Sequence, residues 1–195
     1  MIKIIWTYDK NVFHDEGIIK NNKAYYKRSI IDAKIFGHPT EMYSNDRDFE
    51  HLVDTFHYVD TPVMFWDEFK SFPLHDNKTD FLLSDGDIIW HQGFKVNKNV
   101  DVLIDSYEGF NWESLYKTDV NTLSYLEINK IIPEWDGKKR AAFCTGILSF
   151  NNKEYQALYL DRYIKFKAFV ERYRNMLDVS KCTAIGAQYL LSLIH

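Results

Sequence analysis

With 195 residues, 46% of them hydrophobic and 16% aromatic, the chain suits one domain with a sizeable core and is too apolar for disorder. A formal charge of −4 and an isoelectric point near 6.0 leave no basic surplus to displace counterions, which argues against nucleic acid as a partner. Cys144 and Cys182 are too few for a disulfide framework or a zinc cluster, the N-terminus turns polar too soon for a signal peptide, and no apolar run approaches the ~20 residues of a membrane span, so a cytoplasmic protein with reduced thiols is expected.

In chain order, "IKIIWT" (2–7) predicts a buried strand, followed by the polar loop "YDKNVFHDEG". Residues 24–36 carry apolar positions at helical spacing and stop at Gly37, a natural C-terminal cap. "PTEMYS" reads as a short strand, "DRDFEHLVDTF" as a helix opened by Asp46, and "HYVDT" as another short strand. "PVMFWDEFKSF" fits a helix with Pro62 near its start, and "TDFLLS" a strand that ends at Asp85. "DVLIDS" is a further strand and residues 111–129 a helix. "RAAFCTGILSF" reads as a buried strand pair, or a strand and turn, with Gly146 in its middle. Residues 151–174 form a long amphipathic helix, with Asn151 or Asn152 as N-cap and Glu154 available to a capping box. The chain closes on the apolar, helical "AIGAQYLLSLIH", whose uncapped end at His195 suggests further domains beyond it.

Alternating short strands and helices point to an α/β fold, a mainly parallel sheet flanked by helices, as one domain over residues 1–195. In such sheets ligands bind outside the carboxyl ends of the strands. "FLLSDGDIIW" (81–90) puts Asp85 and Asp87 at that edge. Two carboxylates on a tight loop repel each other unless a cation neutralises them, and hard cations such as Mn²⁺ and Mg²⁺ take oxygen ligands from carboxylates and substrate phosphates. Gly86 between them would let a diphosphate and its metal approach the backbone. Asp-Gly is also a common turn dipeptide, so an ordinary polar corner is the competing reading. The seven histidines show no metal-ligand spacing.

"FWDEFKSFPLHDNKTDFLLSDGDIIW" resembles the central segment of GT-A glycosyltransferases, in which an aromatic-rich helix with a lysine leads into a strand ending in a DxD motif. "IIDAKIFGHPTEMYSN" is similar to the family's helix, glycine and short second strand. "AAFCTGILSFNNKEYQALYLDRY" is similar to the turn that precedes a long helix, and "AIGAQYLLSL" to a later helix. The matches keep their order over nearly the whole chain. Two departures stand out: Ala187 occupies a position often acidic in the family, and the segment that usually completes the acceptor side is missing. The chain is similar to compact GT-A domains that open longer proteins of bacterial polysaccharide synthesis or of large DNA viruses, which for the latter implies the host cytoplasm.

The resemblance implies a GT-A-like, Rossmann-related domain that transfers a sugar from a nucleotide diphosphate-sugar, a UDP-sugar, to a glycan or other hydroxyl acceptor. It implies that Asp87 ligates Mn²⁺ or Mg²⁺ directly, while Asp85 reaches the donor ribose or the metal through water. Thr7, Tyr8 and Asp9 become candidates for base and ribose contacts, with Tyr8 available for stacking against its reading as a core cap. Arg28 and Lys34 are candidates for the diphosphate, against plain solvation on a helix surface. Thr145 and Gly146 match the turn that faces the transferred sugar, and Gln188 is placed to face it as well. Asp119, Glu134 and Asp136 are the acidic candidates for acceptor chemistry. No acidic motif stands out among them, which tilts the expectation slightly towards retention. The alternative is a non-catalytic nucleotide- or sugar-binding module that kept the fold.

Overall fold

The structure is a computed structural model that describes residues 1–11, 16–65, 68–76, 80–108, 117–140 and 142–194. The chain is α/β, with a six-stranded, mostly parallel sheet in the order β3-β2-β1-β4-β6-β5. It divides into two compact units: Met1–Ile104 with Gly146–Asn152, and Asp105–Thr145 with Lys153–His195. Among the described residues no helix is long and apolar enough to cross a membrane.

In the first unit the expected strands form at β1 (Lys3–Tyr8), β2 (Thr40–Ser44) and β4 (Phe81–Ser84), while β3 (Thr55–Tyr58) starts two residues before the expected "HYVDT" and stops at its second residue. All their pairings are parallel; β6 (Ala142–Phe150) then adds antiparallel to β4. Rather than a strand pair or a strand and turn, "AFCTGILSF" is one unbroken strand. β5 (Val102–Glu108) leaves the first unit at Ile104, and β6 enters it at Gly146.

The helix α1 (Glu16–Ile35) begins earlier than the apolar spacing predicts. Its polar first half is anchored through Lys23, which pairs with Asp46 at 2.6 Å and Asp48 at 2.8 Å, contacts that no periodicity reveals. Gly37 closes it with φ of +80°, where an L side chain would be strained, and the His38 N–H reaches back to the Ala33 carbonyl at 3.0 Å. The inner face of α1 places Ile30 and Ala33 on Ile4, Trp6 and Tyr8 of β1, Met42 of β2 and Leu82 of β4.

Two expected helices are corrected. "DRDFEHLVDTF" makes only a single 3₁₀ turn, Arg47–Phe49, capped by the Asp46 side chain on the Asp48 N–H. The Asp54 carboxylate accepts from both the Thr40 N–H and hydroxyl, at 2.8 and 2.9 Å, and this pulls the following residues into β3 instead. The helix expected from Pro62 starts later, as a 3₁₀ turn over Glu68–Lys70 leading into α2 (Ser71–His75), because Glu68 bends back to accept the Met64 N–H. Trp66 and Asp67 lie outside the described residues.

In the second unit, α3 (Lys117–Tyr125) covers the later part of the helix predicted over 111–129; residues 111–116 lie outside the described residues. The long amphipathic helix is α4 (Lys153–Arg172), which buries Tyr159, Tyr163, Phe166, Phe169 and Val170 along one stripe. The terminal helical segment is α5 (Val179–Ala184), capped by Asp178, and α6 (Leu190–Ile194), joined through a π-turn over Ile185–Tyr189. Such a turn frees backbone carbonyls, and the Tyr159 hydroxyl donates to one of them, Ala187, at 3.2 Å. Gly186 lets this turn approach α4, since a Cβ there would stand 3.3 Å from the rings of both Tyr163 and Phe166.

One hydroxyl ties the first unit's core together. Ser29 of α1 accepts from the indole of Trp6 at 3.1 Å and from that of Trp90 at 3.2 Å, all three residues being buried. Ser29→Ala orphans two buried N–H groups and is expected to cost about 2–4 kcal/mol, measured by urea unfolding.

Candidate functional site

Within the first unit, β1 runs to β2 and β3 on one side, while β4 lies on its other side. The strand order therefore reverses between β1 and β4, the switch point where open α/β sheets form ligand crevices. Their backbone ladder ends at the pair Trp6–Ser84. Beyond it come Thr7, Tyr8 and Asp9 from one strand and Asp85, Gly86 and Asp87 from the other, so the geometry brings these six residues to one edge.

The aspartate turn is well supported. The Asp85 N–H donates to the Gly146 carbonyl at 2.8 Å, extending the pairing with β6 by one residue, and the Ile88 N–H returns to the Asp85 carbonyl at 3.4 Å. The two carboxylates are not equivalent. Asp85 is held by Lys70 at 2.9 Å, and the lysine side chain is only 12% exposed. Asp87 is exposed and makes no hydrogen bond or ion pair among the described residues. Lys70 is thus a site residue the sequence reading did not single out; its signal was the lysine of "FWDEFKSF", which lies on the 3₁₀ turn before α2.

Gly86 has a different cause from the one its sequence position suggests. It does not adopt a left-handed backbone, and a Cβ on it would stand 2.1 Å from Cδ2 of Tyr26. The missing side chain makes room for a ring of the protein's own α1. The Tyr26 hydroxyl donates to the Thr7 carbonyl at 3.0 Å. Burial, followed by the charges of Asp85 and Asp87, raises this phenol well above the usual tyrosine range, while the nearby Gly86 amide acts the other way.

On the β1 side, Tyr8 is corrected as a stacking platform. It is 2% exposed, and its ring packs edge-on against Tyr26 and Phe49 at centroid distances of 5.1 and 5.0 Å, so neither face is open. Its hydroxyl is buried without a hydrogen-bond partner among the described residues, and burial raises its pKa. Asp9 is buried too; its Oδ1 accepts from the Asn11 N–H at 2.9 Å and the Asn45 side chain at 2.7 Å. Asn45 in turn accepts the Lys10 N–H, which fixes the β1 exit to the β2 exit. Arg28 is on the exposed side of α1, paired with Asp32 at 2.8 Å, and Lys34 pairs with Asp54 at 3.1 Å.

The remaining candidates belong to other surroundings. Gly146 is in the first unit, where its carbonyl supports Asp85, whereas buried Thr145 belongs to the second. The sugar-facing turn expected there is not formed, since β6 runs straight through both residues. Gln188 is half-buried within the π-turn of the second unit. Glu134 is bound through both oxygens by Arg162, at 2.6 and 2.7 Å, which holds its carboxyl below the usual range. For Asp136 burial opposes ionisation, but Arg140 at 2.7 Å and the Lys138 amide outweigh it and lower the pKa. Asp119, in the first turn of α3, moves the other way: burial raises it, and Lys181 offsets only part of the effect. It is 6% exposed. Of the three acidic candidates, Asp119 alone has a raised pKa.

Among the described residues no three His, Cys, Asp or Glu side chains converge to enclose a metal ion. A cation at the turn would rest on Asp87, with Asp85 beside it, and would draw further ligands from water and a diphosphate, as Mg²⁺ and Mn²⁺ commonly do.

The raised Asp119 has a testable consequence. Its folded-state pKa lies above the unfolded value, so ionisation costs stability at neutral pH and the cost vanishes as pH falls below the carboxylate range. Asp119→Asn is expected to raise the melting temperature at pH 7, with the gain shrinking towards pH 3 in thermal scans. No protein-family model matches the chain, and no curated protein or solved structure matches it.

Proposed function

We propose that the chain is a metal-dependent glycosyltransferase of GT-A type, transferring a sugar from a UDP-sugar to a glycan or other hydroxyl acceptor. The observation that carries this reading is the exposed Asp87, unpaired among the described residues, beside the Lys70-held Asp85, at the β1–β4 switch point. Asp87 offers a carboxylate oxygen to Mn²⁺ or Mg²⁺. Lys70, within 2.9 Å of Asp85, would exchange that partner for a phosphate oxygen of the donor. The bound cation would supply Lewis-acid stabilisation of the departing nucleoside diphosphate. Asp9, Asn45 and the Thr7 backbone form the rigid edge against which the nucleoside would lie.

Asp136 and Glu134 are committed to arginines, which leaves neither as a ready base for the acceptor. With those two engaged, retention, in which the leaving diphosphate itself can serve, stays the favoured stereochemical outcome.

A second reading, a binding module without turnover, is favoured by two observations. Lys70 neutralises Asp85 without any cation, and the position often acidic in the family is the buried Ala187.

A site with so few protein ligands makes metal and nucleotide depend on each other. UDP with Mn²⁺ at about 100 times its Kd is expected to raise the melting temperature by about 5–10 °C, UDP alone to leave it unchanged, and Asp87→Ala to abolish the shift. Absence of a shift with every nucleotide tried sinks the donor site. Hydrolysis of a UDP-sugar without acceptor separates the transferase from the binding module.

A further inference from the structure

The strands β1 and β4 part company at the site. Their ladder stops at Trp6–Ser84, and the next residues, Thr7 and Asp85, are no longer paired. A crevice needs this separation, yet it leaves the aspartate turn tied to the sheet on one side only, through Asp85 to Gly146 of β6. Tyr26 supplies the other side. Its ring edge fills the space where a Cβ of Gly86 would stand, and its hydroxyl donates to the Thr7 carbonyl, so the one side chain meets both strand ends. The ring is itself braced edge-on by Tyr8 at 5.1 Å and Phe49 at 6.0 Å, both buried.

We infer that Tyr26 is a positioning residue for the Asp85–Asp87 turn: it bridges the parted ends of β1 and β4 and sets where the Asp87 carboxylate emerges. The consequence for ligand binding rests on the donor-site reading above; the bridge itself does not. Two features separate it from ordinary packing. Glycine is required at 86 because this ring is there, so the spacing of the two acids and the identity of residue 26 are one constraint. The hydroxyl also meets the Thr7 carbonyl just where the β1–β4 ladder ends, so it satisfies a backbone group beyond the last strand pair instead of adding to the core.

Tyr26→Phe keeps the ring against Gly86 and removes only the hydroxyl's bond to the Thr7 carbonyl, which frees the ring to move with the turn. Amide hydrogen exchange by NMR is expected to show the Gly86 N–H exchanging at least about tenfold faster, with the Ile5 and Leu82 amides unchanged. Titration with Mn²⁺ and UDP is expected to show about a tenfold weaker Kd, and no further loss when the substitution is added to Asp87→Ala. Unchanged Gly86 exchange overturns the inference. So does faster exchange that Leu82 follows in step, because Tyr26 is then a general stabiliser, and so does faster exchange with an unaltered Kd. If the wild-type protein binds neither Mn²⁺ nor UDP, the donor-site reading is lost, and Gly86 exchange alone decides whether the bridge exists.

Discussion

The separation of β1 from β4 after Trp6–Ser84 is the constraint on which the first unit turns. A parallel ladder satisfies the backbone as long as it runs, and where it stops each amide and carbonyl must find another partner. Here Asp85 turns to β6 and Thr7 to Tyr26, while Asp9 folds onto Asn45. The edge of the sheet is thereby made rigid without being closed. An open yet fixed edge is what a polar ligand needs, since the groups meeting it are already held.

Behind that edge, α1 does more than cover the sheet. From one helix, Tyr26 reaches the strand ends, Ser29 collects the indoles of Trp6 and Trp90, and Ile30 and Ala33 fill the apolar layer. Trp90 follows the aspartate turn by three residues, so the chain is anchored to α1 both within the turn, at Gly86, and just after it. Asp87 is left between these anchors as the exposed acid.

Charge is distributed unevenly over the acidic candidates, and burial and partners explain how. Asp85, Glu134 and Asp136 each have a basic partner within 2.9 Å. Asp119 is buried at the start of α3 and pays a desolvation cost that Lys181 does not cancel. Asp87 is exposed, with no such partner among the described residues. These separate environments give chemically similar side chains different proton affinities and different exposure.

By itself the sequence determined the strands β1, β2 and β4, the C-terminus of α1 at Gly37, the long helix α4 and the placement of Asp85 and Asp87 at a strand end, because each depends on local periodicity or on a residue with special backbone freedom. Only the tertiary structure decided the rest. Asp54 bound Thr40 and turned an apparent helix into β3, Glu68 capped backward and delayed the next one, and β6 ran unbroken through a predicted turn. Tyr26 and Lys70 met the aspartate turn, and Tyr8 became core, through contacts separated by 15 to 60 residues in the chain. Gly86 shows the division within one position: the sequence placed a small residue between two acids, and the fold supplied the reason, an aromatic ring from α1 that leaves no room for a Cβ.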